Sequence, residues 1–122
     1  MEDKPEKTER AEQPANTAAG YTPEQIERWK KESPNGEIYR FEFKGQEYVF
    51  IAPSRQTYKR FVDSVSRSLY GAQMQVLMDC MKYPSREAFN SQLDRYPQLV
   101  VALMGPLSEA VGLDEQAQIK NV

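Results

Sequence analysis

The chain has 122 residues and a formal net charge of −2, from 16 basic and 18 acidic side chains. That length holds one domain at most, and neither the balance nor the scattered placement of Lys and Arg favours nucleic acid or an anionic membrane as a partner. With no histidine and one cysteine, the commonest general base and metal ligand are missing and an internal disulfide is excluded.

Other classes fall away on similar grounds. No apolar run approaches the ~20 residues of a membrane span. The first ten residues, MEDKPEKTER, are too charged to contain the apolar segment of a signal peptide. The six glycines form no phosphate-binding loop. The chain therefore reads as a cytoplasmic, soluble protein that is not an enzyme and carries no cofactor or metal.

Along the chain, residues 1–20 contain no aromatic and no large aliphatic residue after Met1. Nothing there offsets the entropy of ordering the backbone, so a disordered arm is expected. At Tyr21 the character changes. Thr22 suits an N-cap, Pro23 a first helical position, and Gln25 completes a capping box, which predicts a helix over 23–32. Ser33-Pro-Asn-Gly36 should end it. In the next run Tyr39, Phe41 and Phe43 alternate with Arg40 and Glu42, the strand period. QEYVFIA then follows across Lys44-Gly45 and is apolar on both faces. A β-hairpin over 37–52 with a two-residue loop is the natural reading. Two strands alone are marginal in water, so helices or another chain's strand must cover it.

From Ser54 onward the pattern is helical. Tyr58, Phe61, Val62, Val65 and Leu69 recur at spacings of three and four and predict a helix over 55–70, with Gly71 as a kink or joint. Further helices are expected over 72–83, 86–96 and 98–112, with Pro97 opening the last of them. Gly105-Pro106 should bend or interrupt the last one, and Gly112 should cap it. The resulting fold class is mainly α with a small β element (α+β): an arm, a short helix, a hairpin and a small bundle of three to four helices. The domain spans 21–113 and is followed by a polar tail, 114–122.

The segment QMQVLMDCMKYP (73–84) raises the functional question. At 100° per residue, Gln75, Asp79 and Lys82 share one strip; Met74, Leu77, Met78 and Met81 lie opposite; Val76, Cys80 and Tyr83 form a third sector. Apolar groups thus cover roughly two thirds of the circumference, where a surface helix needs a stripe of only ~100°. One outcome is a central helix wrapped by its neighbours, with Val76, Cys80 and Tyr83 in the core. The other is that the methionine flank meets a second polypeptide. Leaving Met74, Met78 and Met81 in water forgoes roughly 5–9 kcal/mol, comparable with the ~5–15 kcal/mol stability of a whole domain.

Taken together, FIAPSRQTYKRF, MKYPSREAFNSQLDRYPQLVVAL and LSEAVGLDEQAQIKNV resemble the tail assembly chaperones of long-tailed bacteriophages over residues 37–122. The shared features are a strand leading into a helix, an apolar helix ending at Tyr83-Pro84, the joint Leu93-Asp-Arg-Tyr-Pro97, and a closing helix that ends at Gly112. The resemblance implies a helical protein of the host cell cytoplasm, absent from the mature virion. Such proteins coat the apolar, helical tape measure protein and help to recruit the tail tube protein around it. It also implies a longer frameshifted product, for which the codons of Ile119-Lys120-Asn121 would have to form the slippery heptamer A-AAA-AAC.

A client-coating protein needs an adaptable apolar surface and a way to self-associate as a homo-oligomer. Met74, Leu77, Met78, Met81, Leu103, Met104 and Leu107 are the candidates for the first, in the helix-in-groove mode. The hairpin edge Tyr48, Val49, Phe50 and Ile51 is the candidate for the second, by strand addition. The alternative function is a small structural subunit of a virion or secretion apparatus, held in a permanent oligomer. A nucleic-acid-binding regulator is disfavoured because residues 21–122 hold 13 basic and 13 acidic groups with no basic stripe.

Overall fold

Among the described residues, seven of eight elements follow from signals legible in the sequence, and the eighth reorganises the sheet. A computed structural model describes residues 20–113 and 115–117. The elements run α1 (Pro23–Glu32), β1 (Ile38–Phe43), β2 (Gln46–Ile51), α2 (Arg55–Val65), α3 (Leu69–Cys80), β3 (Met81–Tyr83), α4 (Arg86–Arg95) and α5 (Leu99–Val111). The fold is α+β, as expected. Residues 1–19 of the expected arm and the last residues of the tail, Ile119 to Asn121 included, lie outside the described residues.

The helix starts follow their caps. The Thr22 hydroxyl accepts from the Gln25 amide while the Gln25 side chain accepts from the Thr22 amide, a complete capping box. Ser54, Ser68 and Ser85 cap α2, α3 and α4 in the same way, three residues ahead of the amide each accepts from. Gly112, at φ 68°, supplies the left-handed cap that ends α5. In the hairpin loop Lys44 (φ 52°) and Gly45 (φ 82°) both adopt positive φ, the turn whose twist matches the strands it joins.

β2 is the centre of a three-stranded antiparallel sheet ordered β1-β2-β3. Its side chains alternate between two cores. Tyr48 and Phe50 point into the main one, with Val76, Leu77 and Cys80 of α3, Phe89 of α4, and Leu99, Val100, Leu103, Met104 and Leu107 of α5. Val49 points the other way, into a smaller cluster with Tyr21 and Trp29 under α1. Tyr21 packs against both Trp29 and Tyr83, with centroids 5.5 and 5.1 Å apart. Its hydroxyl donates to Glu47 Oε1 (2.8 Å) and accepts from Arg40 Nη1 (3.3 Å). Burial first, and the Glu47 carboxylate second, push this phenol above its ordinary range. Ser33 Oγ accepts from the buried Ala52 amide (3.1 Å) and Lys82 pairs with Glu32 (2.7 Å), so the C-terminal end of α1 is tied to the end of β2 and to β3.

Four expectations are corrected. The helix expected over 72–83 stops at Cys80, and Met81–Tyr83 form β3 against Val49 and Phe50. Pro84 already biases Tyr83 toward extended backbone, and pairing satisfies amides and carbonyls of a strand that is otherwise buried. The helix expected over 55–70 divides, because Ser68 caps a new helix and places Gly71 in its first turn rather than between two helices. Proline 97 precedes α5 rather than opening it. Pro106 does not interrupt α5: it and Gly105 are exposed, while Leu103, Met104 and Leu107 keep one continuous inward face. Packing on that face outweighs the missing amide.

Cys80 is buried in the main core. Desolvation, more than the neighbouring Asp79 charge, pushes its thiol from an ordinary 9.0 to about 12. A raised folded-state value means that the thiol's contribution to stability is complete below pH 9 and is lost as pH rises from about 9 toward 12. In urea unfolding at pH 8 and pH 10, the wild type should lose more stability between the two than Cys80→Ala does. Equal losses would show that the thiol titrates as freely folded as unfolded.

Candidate partner-binding surface

The surface begins with how α2 is held. α2 and α3 form an antiparallel helical hairpin across Ser66–Ser68, and a carboxylate fastens them. Asp79 of α3 accepts from the Arg60 guanidinium and from the Thr57 hydroxyl (3.2 Å) of α2, and from Gln75 Nε2 (3.0 Å) on its own helix. Thr57, itself buried, accepts from the Ser54 hydroxyl at 3.1 Å, so the cap of α2 is continuous with the clamp.

At 100° per residue, Thr57, Phe61 and Ser64 form the inward side of α2, and of its large apolar side chains only Phe61 packs against the core. Tyr58 (45% exposed), Val62 (49%) and Val65 (36%) span about 60° of the wheel and face outward. Leu69 and Tyr70, also exposed, follow at the α2–α3 corner. Tyr58 and Arg55 form one wall of a shallow depression of about 270 Å³, opposite Val111, Leu113 and Glu115 at the end of α5.

This arrangement redistributes the residues expected to meet a partner. Leu77, Leu103, Met104 and Leu107 lie in the main core, each 2% exposed or less, so they hold the subunit together and present nothing to a partner. Met81 belongs to β3, opposite Phe50, and not to the methionine flank of α3. Met74 and Met78 stay on α3, half-buried and packed against the core. The wrapped-helix outcome thus accounts for most of α3: the sheet and α5 cover Val76, Leu77 and Cys80, and α2 covers the Asp79 strip.

The expected self-association edge is also corrected. Tyr48, Val49 and Phe50 are fully buried and Ile51 is half-buried, and β3 occupies the edge of β2 that the hairpin alone would leave open. The sheet's edges are β1 and the short β3; on β1, Arg40 and Glu42 are exposed, charges that discourage edge-to-edge pairing.

The α2 stripe was overlooked because its spacing of three and four is the same for a core face and for an exposed seam. One signal separates them. Ser54, Thr57 and Ser64 supply a polar inward side, and the apolar groups beyond Phe61 stay exposed.

The geometry defines a class: a small α+β domain with an exposed apolar stripe on α2. Among the described residues no group of three His, Cys, Asp or Glu is placed to hold a metal, and no helix is long and apolar enough to cross a membrane. The chain belongs to the family described as a domain of unknown function (DUF6848), whose model matches residues 29–120. In fold it is similar to an uncharacterised protein, rbstp2171 from Bacillus stearothermophilus. The TM-score is 0.58 at 19% identity, over 76% of this chain and 97% of that one. No curated protein matches the chain.

Two substitutions separate clamp from stripe. Asp79→Ala should cost about 1–3 kcal/mol, because it strands the buried Thr57 hydroxyl and frees Arg60. Val62→Asp should change stability by no more than about 0.5 kcal/mol, since the side chain meets water. Chemical denaturation measures both; a large loss for Val62→Asp would place that residue in the core.

Proposed function

We propose that this chain is a non-enzymatic binding protein of the tail assembly chaperone type. It coats a tape measure protein, a long apolar helical client, during phage tail morphogenesis, and helps to recruit tail tube subunits around it. The observation that carries this reading is the stripe of Tyr58, Val62 and Val65, apolar and exposed on α2. A monomer that only had to fold would gain nothing from apolar groups there, and contiguous exposed apolar patches mark partner sites. Half-buried Met74 and Met78 add side chains that adapt to differently shaped partners.

The likeness of residues 37–122 to tail assembly chaperones supplies the identity of the client. On this reading the protein works in the host cell cytoplasm as a homo-oligomer of modest affinity, is absent from the mature virion, and engages neither nucleic acid nor membrane. A permanent structural subunit would hide the same stripe at all times, in an assembly of constant mass.

Co-expression with the tape measure protein from its own gene neighbourhood tests the proposal. The client, insoluble alone, should be recovered in a soluble complex, and the protein by itself should dissociate on dilution. A client that stays insoluble contradicts the chaperone reading. A free protein of constant mass over a roughly hundred-fold dilution would favour the permanent subunit.

A further inference from the structure

We infer that the exposed stripe of α2 is a seat for one amphipathic helix of a different polypeptide, and that this helix carries carboxylates along the edge that faces Arg55 and Lys59. The inference rests on the client-binding reading above and adds the surface and the charge of the client segment. Two observations carry it.

The first is the shape of the stripe. Arg55, Tyr58, Val62 and Val65 follow one another at steps of three, four and three residues. That is the seam spacing of paired helices, and the exposed apolar part is far narrower than the face of a core helix. A strand or an irregular loop has no use for that periodicity, whereas a helix laid alongside meets a side chain at every turn.

The second is charge. Between Ser54 and Tyr70 there are four basic residues, Arg55, Lys59, Arg60 and Arg67, against one acidic residue, Asp63, in a chain that is negative overall. Arg60 is committed to Asp79. Lys59 pairs with Asp63 one turn away, an exposed pair (2.9 Å), and Arg55 makes no ion pair with a described residue. On the helical wheel Arg55 and Lys59 border Tyr58 and Val62 on the side away from the core, where the flanking charges of a paired helix fall. Glu115 lines the same depression as Arg55; the incoming helix sets its apolar edge against Tyr58 and Val62 and its carboxylates along Arg55 and Lys59. A second copy docking through the same face would set this basic border against itself, which disfavours a symmetric α2–α2 dimer.

The probe is a pair of helix-stabilised peptides of about 20 residues with the same leucine seam, one flanked by Glu and one by Lys. Binding is read by fluorescence anisotropy on the full chain. The Glu-flanked peptide should bind at least ten-fold more tightly than the Lys-flanked one and weaken as salt rises. Val62→Asp should lose at least ten-fold, with unchanged circular dichroism. The double variant Arg55→Glu/Lys59→Glu should reverse the preference between the peptides.

Equal binding of both peptides overturns the charge assignment, and undiminished binding to Val62→Asp moves the seat elsewhere; in either case the client-binding reading survives if co-expression still solubilises the tape measure protein. Conversion of an oligomer to a monomer by Val62→Asp would assign the face to a second copy and overturn the inference. Binding of neither peptide overturns it as well, and together with failed co-expression removes the client reading too.

Discussion

The structure depends on β2 having no side left for water. Its two faces carry Tyr48 and Phe50 on one side and Val49 on the other, all fully buried. Both faces therefore need a cover, and both edges need a hydrogen-bonding neighbour, because a buried backbone group without a partner costs as much as a lost hydrogen bond. α1 with Tyr21 and Trp29 covers one face, α3, α4 and α5 cover the other, and β1 and β3 take the edges. Recruiting Met81–Tyr83 into the sheet fixes where α3 ends, and hence which of its sides are spent inside.

Once α3 is committed to the sheet and α5, α2 becomes an outer layer with one main neighbour. It is held largely by a polar clamp, with Asp79 receiving Arg60 and Thr57, and by the single inward aromatic Phe61. A helix fastened in this way can leave its apolar residues outside without losing its place. The exposed stripe is thus a consequence of the fold: the methionine helix, which looks unsatisfied in isolation, is wrapped, and the helix that wraps it carries apolar groups outward.

Much of the fold was legible because its punctuation is local. Thr22 with Gln25, the Lys44-Gly45 loop, Ser54, Ser85 and Gly112 each act through a hydrogen bond or a backbone angle set within a few residues. What was not legible is non-local. Three residues after a helix become a strand only because Val49 and Phe50, more than thirty positions earlier, offer an edge. Pro106 is tolerated because of what Leu103 and Leu107 touch. The candidate site failed for the same reason, since a period of three and four does not say which flank of a helix the rest of the chain will reach. Leu103, Met104 and Leu107 were read as partner-facing and turned out to be core, whereas Tyr58, Val62 and Val65, read only as the apolar spacing of a helix, face water.

The central claim is that the outward stripe of α2 is the surface a client helix buries. Methyl NMR of the chain, labelled at valine and methionine and titrated with a soluble segment of the tape measure protein, tests it most directly. The Val62 and Val65 methyls should shift and lose solvent accessibility while Val76 and Val100, sealed in the core, stay unchanged. Shifts confined to other methyls, with Val62 and Val65 unmoved in a client-bound sample, would contradict the account.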